Sequence, residues 1–172
     1  MVECVVMAII AYLIGSINFS VILSKKIAGF DVREKGSGNA GTTNMLRSVG
    51  KKAAAITLVC AVLKGVVAIL IAIFIGKTVQ GSNGALLVQV AGIAVILGHT
   101  FPVFFKFKGG KGVATSLGVL IMSNWQIGLI CLVFALILIA LTQMVSVGSI
   151  AAAILYPVLT LFIPQNYIVP GN

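Results

Sequence analysis

The chain has 172 residues, 60% of them hydrophobic and 9% charged, with twelve Lys and Arg against three acids and a formal charge of +9. So little charge cannot clothe a water-soluble domain of this size, which excludes an ordinary soluble enzyme and makes lipid the natural solvent. The basic excess marks cytoplasmic loops, an anionic ligand, or both; no nucleic-acid partner is expected.

A bilayer core of roughly 30 Å needs about 20 apolar residues per helix. In chain order, residues 4–24, 53–76, 85–104, 125–142 and 146–163 meet that length or approach it, and 113–123 is a short or tilted helix paired with 125–142 through the polar break Ser123-Asn124. The expected fold is therefore an all-α integral membrane protein, a polytopic bundle of about six transmembrane helices in a single domain over residues 1–172. Continuous apolar runs, not alternating ones, exclude a barrel. The N-terminal run lacks a basic flank and continues to about residue 24, so it reads as a retained span and not a signal peptide. Cys4, Cys60 and Cys131 lie in apolar stretches with no metal-ligand spacing, and neither disulfide nor metal is expected.

Seven basic residues fall in 25–52 and three in 105–112, with Lys77 and Lys64 making up the twelve. The positive-inside rule then puts both loops in the cytoplasm and the N-terminus outside. Six spans would leave Asn172 outside as well. Lys64 is near the middle of the span 53–76, where a charge costs about 2.5–3.5 kcal/mol on insertion scales, so it should face the bundle interior, either in a structural ion pair supporting the site or as a neutral or water-linked lysine. No acid lies one turn away; Ala61 occupies the suitable position.

Two loops carry chemistry. In the first, Lys35-Gly36-Ser37-Gly38-Asn39-Ala40-Gly41-Thr42-Thr43-Asn44 precedes Arg47. Its glycines let backbone N–H groups approach a ligand, Ser37, Asn39, Thr42, Thr43 and Asn44 add neutral donors, Lys35 and Arg47 supply charge, and Arg47 can grip phosphate with two parallel hydrogen bonds. Asn44 can alternatively act as a helix cap. In the second, Gly98-His99-Thr100-Phe101-Pro102 ends one span and Lys108-Gly109-Gly110-Lys111-Gly112 opens the next. Gly109 and Gly110 offer free amides near a helix start and Lys111 a full charge. It is not a nucleotide-binding P-loop, because Phe105 stands where that loop needs its first glycine and Gly112 follows Lys111. His99, the only histidine, is either an interfacial hydrogen-bonding residue or a base. The phenylalanines at 101, 104, 105 and 107 read as interfacial anchors.

Together, Gly36-Ser37-Gly38-Asn39-x-Gly41-x-Thr43-Asn44-x-x-Arg47 and Gly98-His99-x-Phe101-Pro102-x-Phe104-x-x-Phe107-x-Gly109-Gly110-Lys111-Gly112-Val113-Ala114-Thr115 resemble the first two motifs of the acyl-phosphate:glycerol-3-phosphate acyltransferases, the PlsY family. The opening Ala11-Tyr12-Leu13-Ile14-Gly15-Ser16 and Lys64-Gly65 resemble it too. The resemblance implies a seven-helix bacterial plasma-membrane enzyme of phospholipid synthesis with a cytoplasmic active site and no cofactor. It implies transfer of a fatty acyl group from acyl phosphate to the 1-hydroxyl of glycerol 3-phosphate, giving lysophosphatidic acid and phosphate. Ser37, Gly38, Asn44, Arg47, Gly109, Gly110 and Lys111 would then hold phosphate, Asn39 and Thr43 would stabilise the oxyanion, and His99 or a substrate phosphate oxygen would take the acceptor's proton.

Three departures stand out. Ala61 replaces an acid, Gln143 a basic residue, and a third C-terminal motif and seventh helix are not seen before Asn172. These predict a truncated member with weak substrate binding and little activity alone. An anion or phosphate-ester transporter is the rival reading. A third is a non-catalytic membrane partner that docks the soluble enzyme making acyl phosphate.

Overall fold

The computed structural model describes residues 1–79 and 82–163; what was expected of the chain's C-terminal end lies outside them. The described residues form helices joined by short loops and fall into two compact units, Met1–Val119 and the residues from Leu120 onward. Five segments among them are long and apolar enough to cross a membrane: Val2–Ala28, Lys51–Thr78, Gly84–Phe105, Trp125–Thr142 and Val145–Phe162. The sixth expected span, Val113–Ser123, is an 11-residue helix, about 16 Å long against a core of roughly 30 Å.

The first crossing is not the continuous helix expected over 4–24. It is two helices, α1 (Val2–Ser16) and α2 (Phe19–Ala28). The break follows from local sequence. Gly15 and Ser16 are weak helix formers, and Asn18 offers its side chain as a cap, Oδ1 accepting from the Val21 N–H at 3.3 Å. A short helix α3 (Thr42–Ser48) follows the first polar loop, and α4 (Lys51–Thr78) and α5 (Gly84–Thr100) supply the next crossings. α6 (Val113–Ser123) leads out of the second polar loop.

Small residues let these helices approach closely, as they must where lipid gives no hydrophobic incentive to pack. A methyl group on Gly15 of α1 would fall 3.0 Å from the Gly98 Cα of α5, and one on Gly98 would overlap the Tyr12 carbonyl. Gly65 of α4 lies against the Thr115 carbonyl of α6, and Gly118 against Val62. Near the polar loops Val21, Val32, Ala40, Met45, Ala53 and Ala54 form a buried apolar cluster. Phe105, expected as a membrane anchor, packs on that cluster, whereas Phe101, Phe104 and Phe107 are exposed as anticipated.

The second unit is a helical hairpin. Asn124 caps α7 (Trp125–Thr142), its Oδ1 accepting from the Ile127 N–H at 3.2 Å. Gln143 in the left-handed conformation ends α7, and α8 (Val145–Phe162) folds back so that Gly148 meets Ala135 and Ile139. Gln143 therefore acts as a helix stop in the place where the resemblance led us to expect a basic residue.

Candidate active site

The two polar loops meet backbone to backbone. The Ala40 N–H donates to the Gly109 carbonyl at 3.4 Å, while the Gly109 and Gly110 amides donate to the carbonyls of Thr100 (3.1 Å) and His99 (3.2 Å). Gly110 fits between the Ala40 carbonyl and the His99 ring so closely that a Cβ would collide with both. Five expected site residues, Asn39, Gly109, Gly110, His99 and (through Asn39) Asn44, thus belong to one contiguous construction.

Asn44 organises the first loop instead of offering donors to a ligand. It is 1% exposed. Its Nδ2 donates towards the carbonyls of Val32 (2.8 Å), Lys35 (3.0 Å) and Asn39 (3.0 Å), and its Oδ1 accepts from the Ser37 N–H (3.0 Å) and the Ser48 hydroxyl (3.3 Å). The carboxamide has no capacity left for phosphate, so the expectation of direct binding is corrected to a positioning role. Gly36, with φ of 58°, must be glycine for two reasons: that conformation, and the Asn44 and Ser48 oxygens crowding its Cβ position.

Around this core the other expected residues differ in exposure. Ser37, Gly38, Arg47 and Lys111 are exposed, and Asn39 and Thr43 half-buried. The Ser37 hydroxyl, the Arg47 guanidinium and the Lys111 ammonium make no hydrogen bond or ion pair within the described residues, so all three can meet a ligand. Among the described residues no side-chain hydrogen bond or ion pair ties Arg47 or Lys111 to the loop junction. Gly112, with φ of 79°, turns the chain into α6, and its carbonyl accepts from Ser116 at 2.8 Å.

His99 is 7% exposed, and its Nδ1 lacks a hydrogen-bond partner in its buried setting. It stands behind Gly110. Lys64, 5% exposed, is as interior as expected, and its partners are backbone carbonyls, not an acid: Nζ donates to Gly15 (2.6 Å) and Ile17 (3.0 Å).

A cavity of about 390 Å³ opens beside the loop junction, lined by Asp31, Arg33, Glu34, Gly38, Lys106 and Lys108. That is in the range of small-ligand sites. Asp31 and Arg33 form a bidentate pair there, with Nε–Oδ1 at 2.9 Å and Nη2–Oδ2 at 2.7 Å. The remaining donor, Nη1, reaches the carbonyls of Phe105 (2.7 Å) and Lys108 (3.0 Å). Arg33 therefore ties the first loop to the second. Its hydrogen bonds hold the Asp31 carboxyl down at about 2, below the usual carboxylate value, and the carboxylate raises Arg33 in return. Lys106 and Phe107 both adopt left-handed φ, 56° and 57°. Such geometry costs about 1–3 kcal/mol per residue unless its surroundings enforce it, and here the Phe107 amide is held by the Pro102 carbonyl at 3.0 Å.

Comparison with known proteins agrees with this construction. The profile of the family described as glycerol-3-phosphate acyltransferase matches residues 5–170. The chain belongs to that family.

Among relatives of the acyltransferase, the protein of Thermoanaerobacter pseudethanolicus is 50% identical over 155 residues, covering 90% of this chain and 75% of the relative. That of Clostridioides difficile is 44% identical over 162 residues, covering 94% and 79%. Both are described as glycerol-3-phosphate acyltransferase. Two crystal structures of PlsY, an integral membrane glycerol 3-phosphate acyltransferase, superpose on it. The glycerol 3-phosphate form has a TM-score of 0.82 at 36% identity and the lysophosphatidic acid form 0.79 at 34%, each covering 94% of this chain and 78% of that one. The acyltransferase is thus an integral membrane helical protein, as its composition required.

Sequence reasoning missed Asp31, Arg33, Tyr12 and Ser16 in the acyltransferase. Tyr12 donates its hydroxyl to the Phe101 carbonyl at 2.7 Å, and Ser16 Oγ accepts from the Val103 N–H at 3.3 Å. A signal existed for the first pair: Asp31 is one of only three acids in the chain and sits two residues from an arginine. Tyr12 and Ser16 gave none beyond lying within the resemblance.

Proposed function

We propose that the protein transfers a fatty acyl group from acyl phosphate to the 1-hydroxyl of sn-glycerol 3-phosphate at the cytoplasmic face of a bacterial plasma membrane. The observation that carries this reading is the backbone junction of the two glycine-rich loops, with Ser37, Arg47 and Lys111 uncommitted on those loops and the helix after the first, and a cavity of mixed charge, three cations and two acids, alongside. Both substrates present phosphate to such a surface, and an acyl tail can remain among the apolar helices.

Acyl phosphate is a mixed anhydride, so no covalent enzyme intermediate is needed. The acceptor hydroxyl oxygen bonds to the acyl carbon, the carbon–oxygen bond to phosphate breaks, and inorganic phosphate leaves. Asn39 and Thr43 supply donors to the oxyanion of the tetrahedral stage, and the cationic side chains hold the phosphates in line. The hydroxyl proton passes to a phosphate oxygen of bound substrate. His99 is poorly placed to receive it, being buried behind Gly110.

The test is acyl transfer in vesicles with palmitoyl phosphate and radiolabelled glycerol 3-phosphate, beside Arg47→Ala and His99→Gln. Lysophosphatidic acid should form, fall at least tenfold with Arg47→Ala, and keep the shape of its pH profile with His99→Gln. Uptake of label without product would replace this reading with transport. A His99 variant that lost one limb of the pH profile would restore the histidine as base.

A further inference from the structure

The break in the first span and the lysine at the centre of α4 occupy the same place. In an unbroken helix the carbonyls of Gly15 and Ile17 would be served by amides four residues further on. The break at Ile17-Asn18 interrupts that ladder, and Lys64 Nζ takes up both carbonyls at 2.6 and 3.0 Å. A cation at the C-terminal end of α1 also matches the sign of the helix dipole.

That last turn of α1 is in turn the support of the second loop. Tyr12 holds the Phe101 carbonyl, Ser16 accepts from Val103, and Gly15 abuts Gly98. Segment 98–103 then presents the two carbonyls, of His99 and Thr100, on which Gly110 and Gly109 hang, and Gly109 reaches Ala40. Contacts run without a gap from the centre of α4 to the loop junction.

We propose that Lys64 is a positioning residue: by capping the interrupted end of α1 it sets the register of residues 98–112, and so the placement of the loop that faces the phosphate substrates. An apolar side chain at 64 would leave the two carbonyls without donors and let the last turn of α1 unwind or shift. The second loop would move with it, although residue 64 itself is buried in the span. The consequence for turnover rests on the proposed acyl transfer; the consequence for the loop does not.

The test therefore reads both. Hydrogen–deuterium exchange of the purified full chain in nanodiscs is compared between wild type and Lys64→Met, alongside acyl transfer. Exchange should rise in 98–112 while α8, residues 145–162, stays as protected as before, and turnover should fall at least tenfold. Unchanged exchange in 98–112, or an equal rise in α8, overturns the proposal whatever the activity. A rise confined to 98–112 in Lys64→Met, with a wild type that makes no product, supports the positioning and rejects the acyl-transfer reading instead. If Lys64→Met does not fold, the double variant Tyr12→Phe, Ser16→Ala decides: it removes only the two contacts below the cap and must raise exchange in 98–112, and wild-type protection there overturns the proposal.

Discussion

Arg33 and Phe105 are 72 residues apart in sequence, and the guanidinium of one donates to the carbonyl of the other at 2.7 Å. Of the 3₁₀ turns that carry them, Val32–Glu34 follows the first membrane crossing and Val103–Phe105 closes the third. Their joining brings the two motif loops face to face. Arg33 also lies 6.0 Å from the centroid of the Phe105 ring, so that side chain receives a cation–π contact as well.

Arg33→Ala should accordingly unfasten the second loop and leave the Asp31 carboxylate to Lys25, 3.4 Å away, and the backbone N–H of residue 33. Breaking one member of a fully buried pair costs about 3–5 kcal/mol; this pair is only part-buried and Asp31 keeps Lys25, so a smaller loss should be visible as a lowered Tm, together with at least tenfold lower acyl transfer. Arg33→Lys should recover only a fraction, since an ammonium cannot serve Asp31 in bidentate fashion and two carbonyls at once. Full activity in Arg33→Ala would remove the clamp from the site.

The same pair sets an acid limit. The Asp31 carboxyl titrates at about 2 in the folded chain against an ordinary 3.8. Its folded value is depressed, so its stabilising contribution is complete above about pH 4 and is lost as pH falls from there through 2. Thermal unfolding across that window should show a fall in Tm for wild type and a smaller one for Asp31→Asn, which is already less stable at neutral pH.

Asn44→Ala should leave three carbonyls and the Ser37 amide without their partner, a loss of about 1–3 kcal/mol for each group that water cannot reach. Asn44→Asp should be at least as damaging, because it turns an acceptor towards carbonyl oxygens that need a donor. Tm and the KM for glycerol 3-phosphate are the readouts. An aspartate variant better than alanine would contradict the assigned side-chain orientation.

Two glycine substitutions should separate site from scaffold. Gly110→Ala forces a methyl group into His99 and the Ala40 carbonyl and should abolish turnover in a protein that still inserts. Gly29→Ala, at the left-handed cap of α2 with φ of 75° and open space around it, should cost about 1 kcal/mol and leave turnover intact.

Composition and apolar run length were enough to read the helical membrane fold, because hydropathy is a local property. The places where the reading failed depended on contacts with distant residues. The first crossing looked continuous because Ile17-Asn18 is a short interruption, and its stability depends on Lys64, 47 residues from Ile17. Likewise Asn44 was legible as a polar loop residue, but only the folded loop shows that five partners consume its side chain. The motifs pointed to the two loops that meet at the junction; Arg33, whose two carbonyl partners lie beyond residue 100, needed the fold.

The contact between Lys64 and the first crossing also bears on how the chain enters a bilayer. Separately, each half is expensive in hydrocarbon: unserved carbonyls in the first crossing, and an ammonium that costs about 2.5–3.5 kcal/mol in the second. Joined, they cancel much of each other's penalty. Since the first crossing is synthesised before α4, it should remain beside the insertion machinery, or in the hydrated interface, until the lysine arrives. The two should then pass into lipid as a pair.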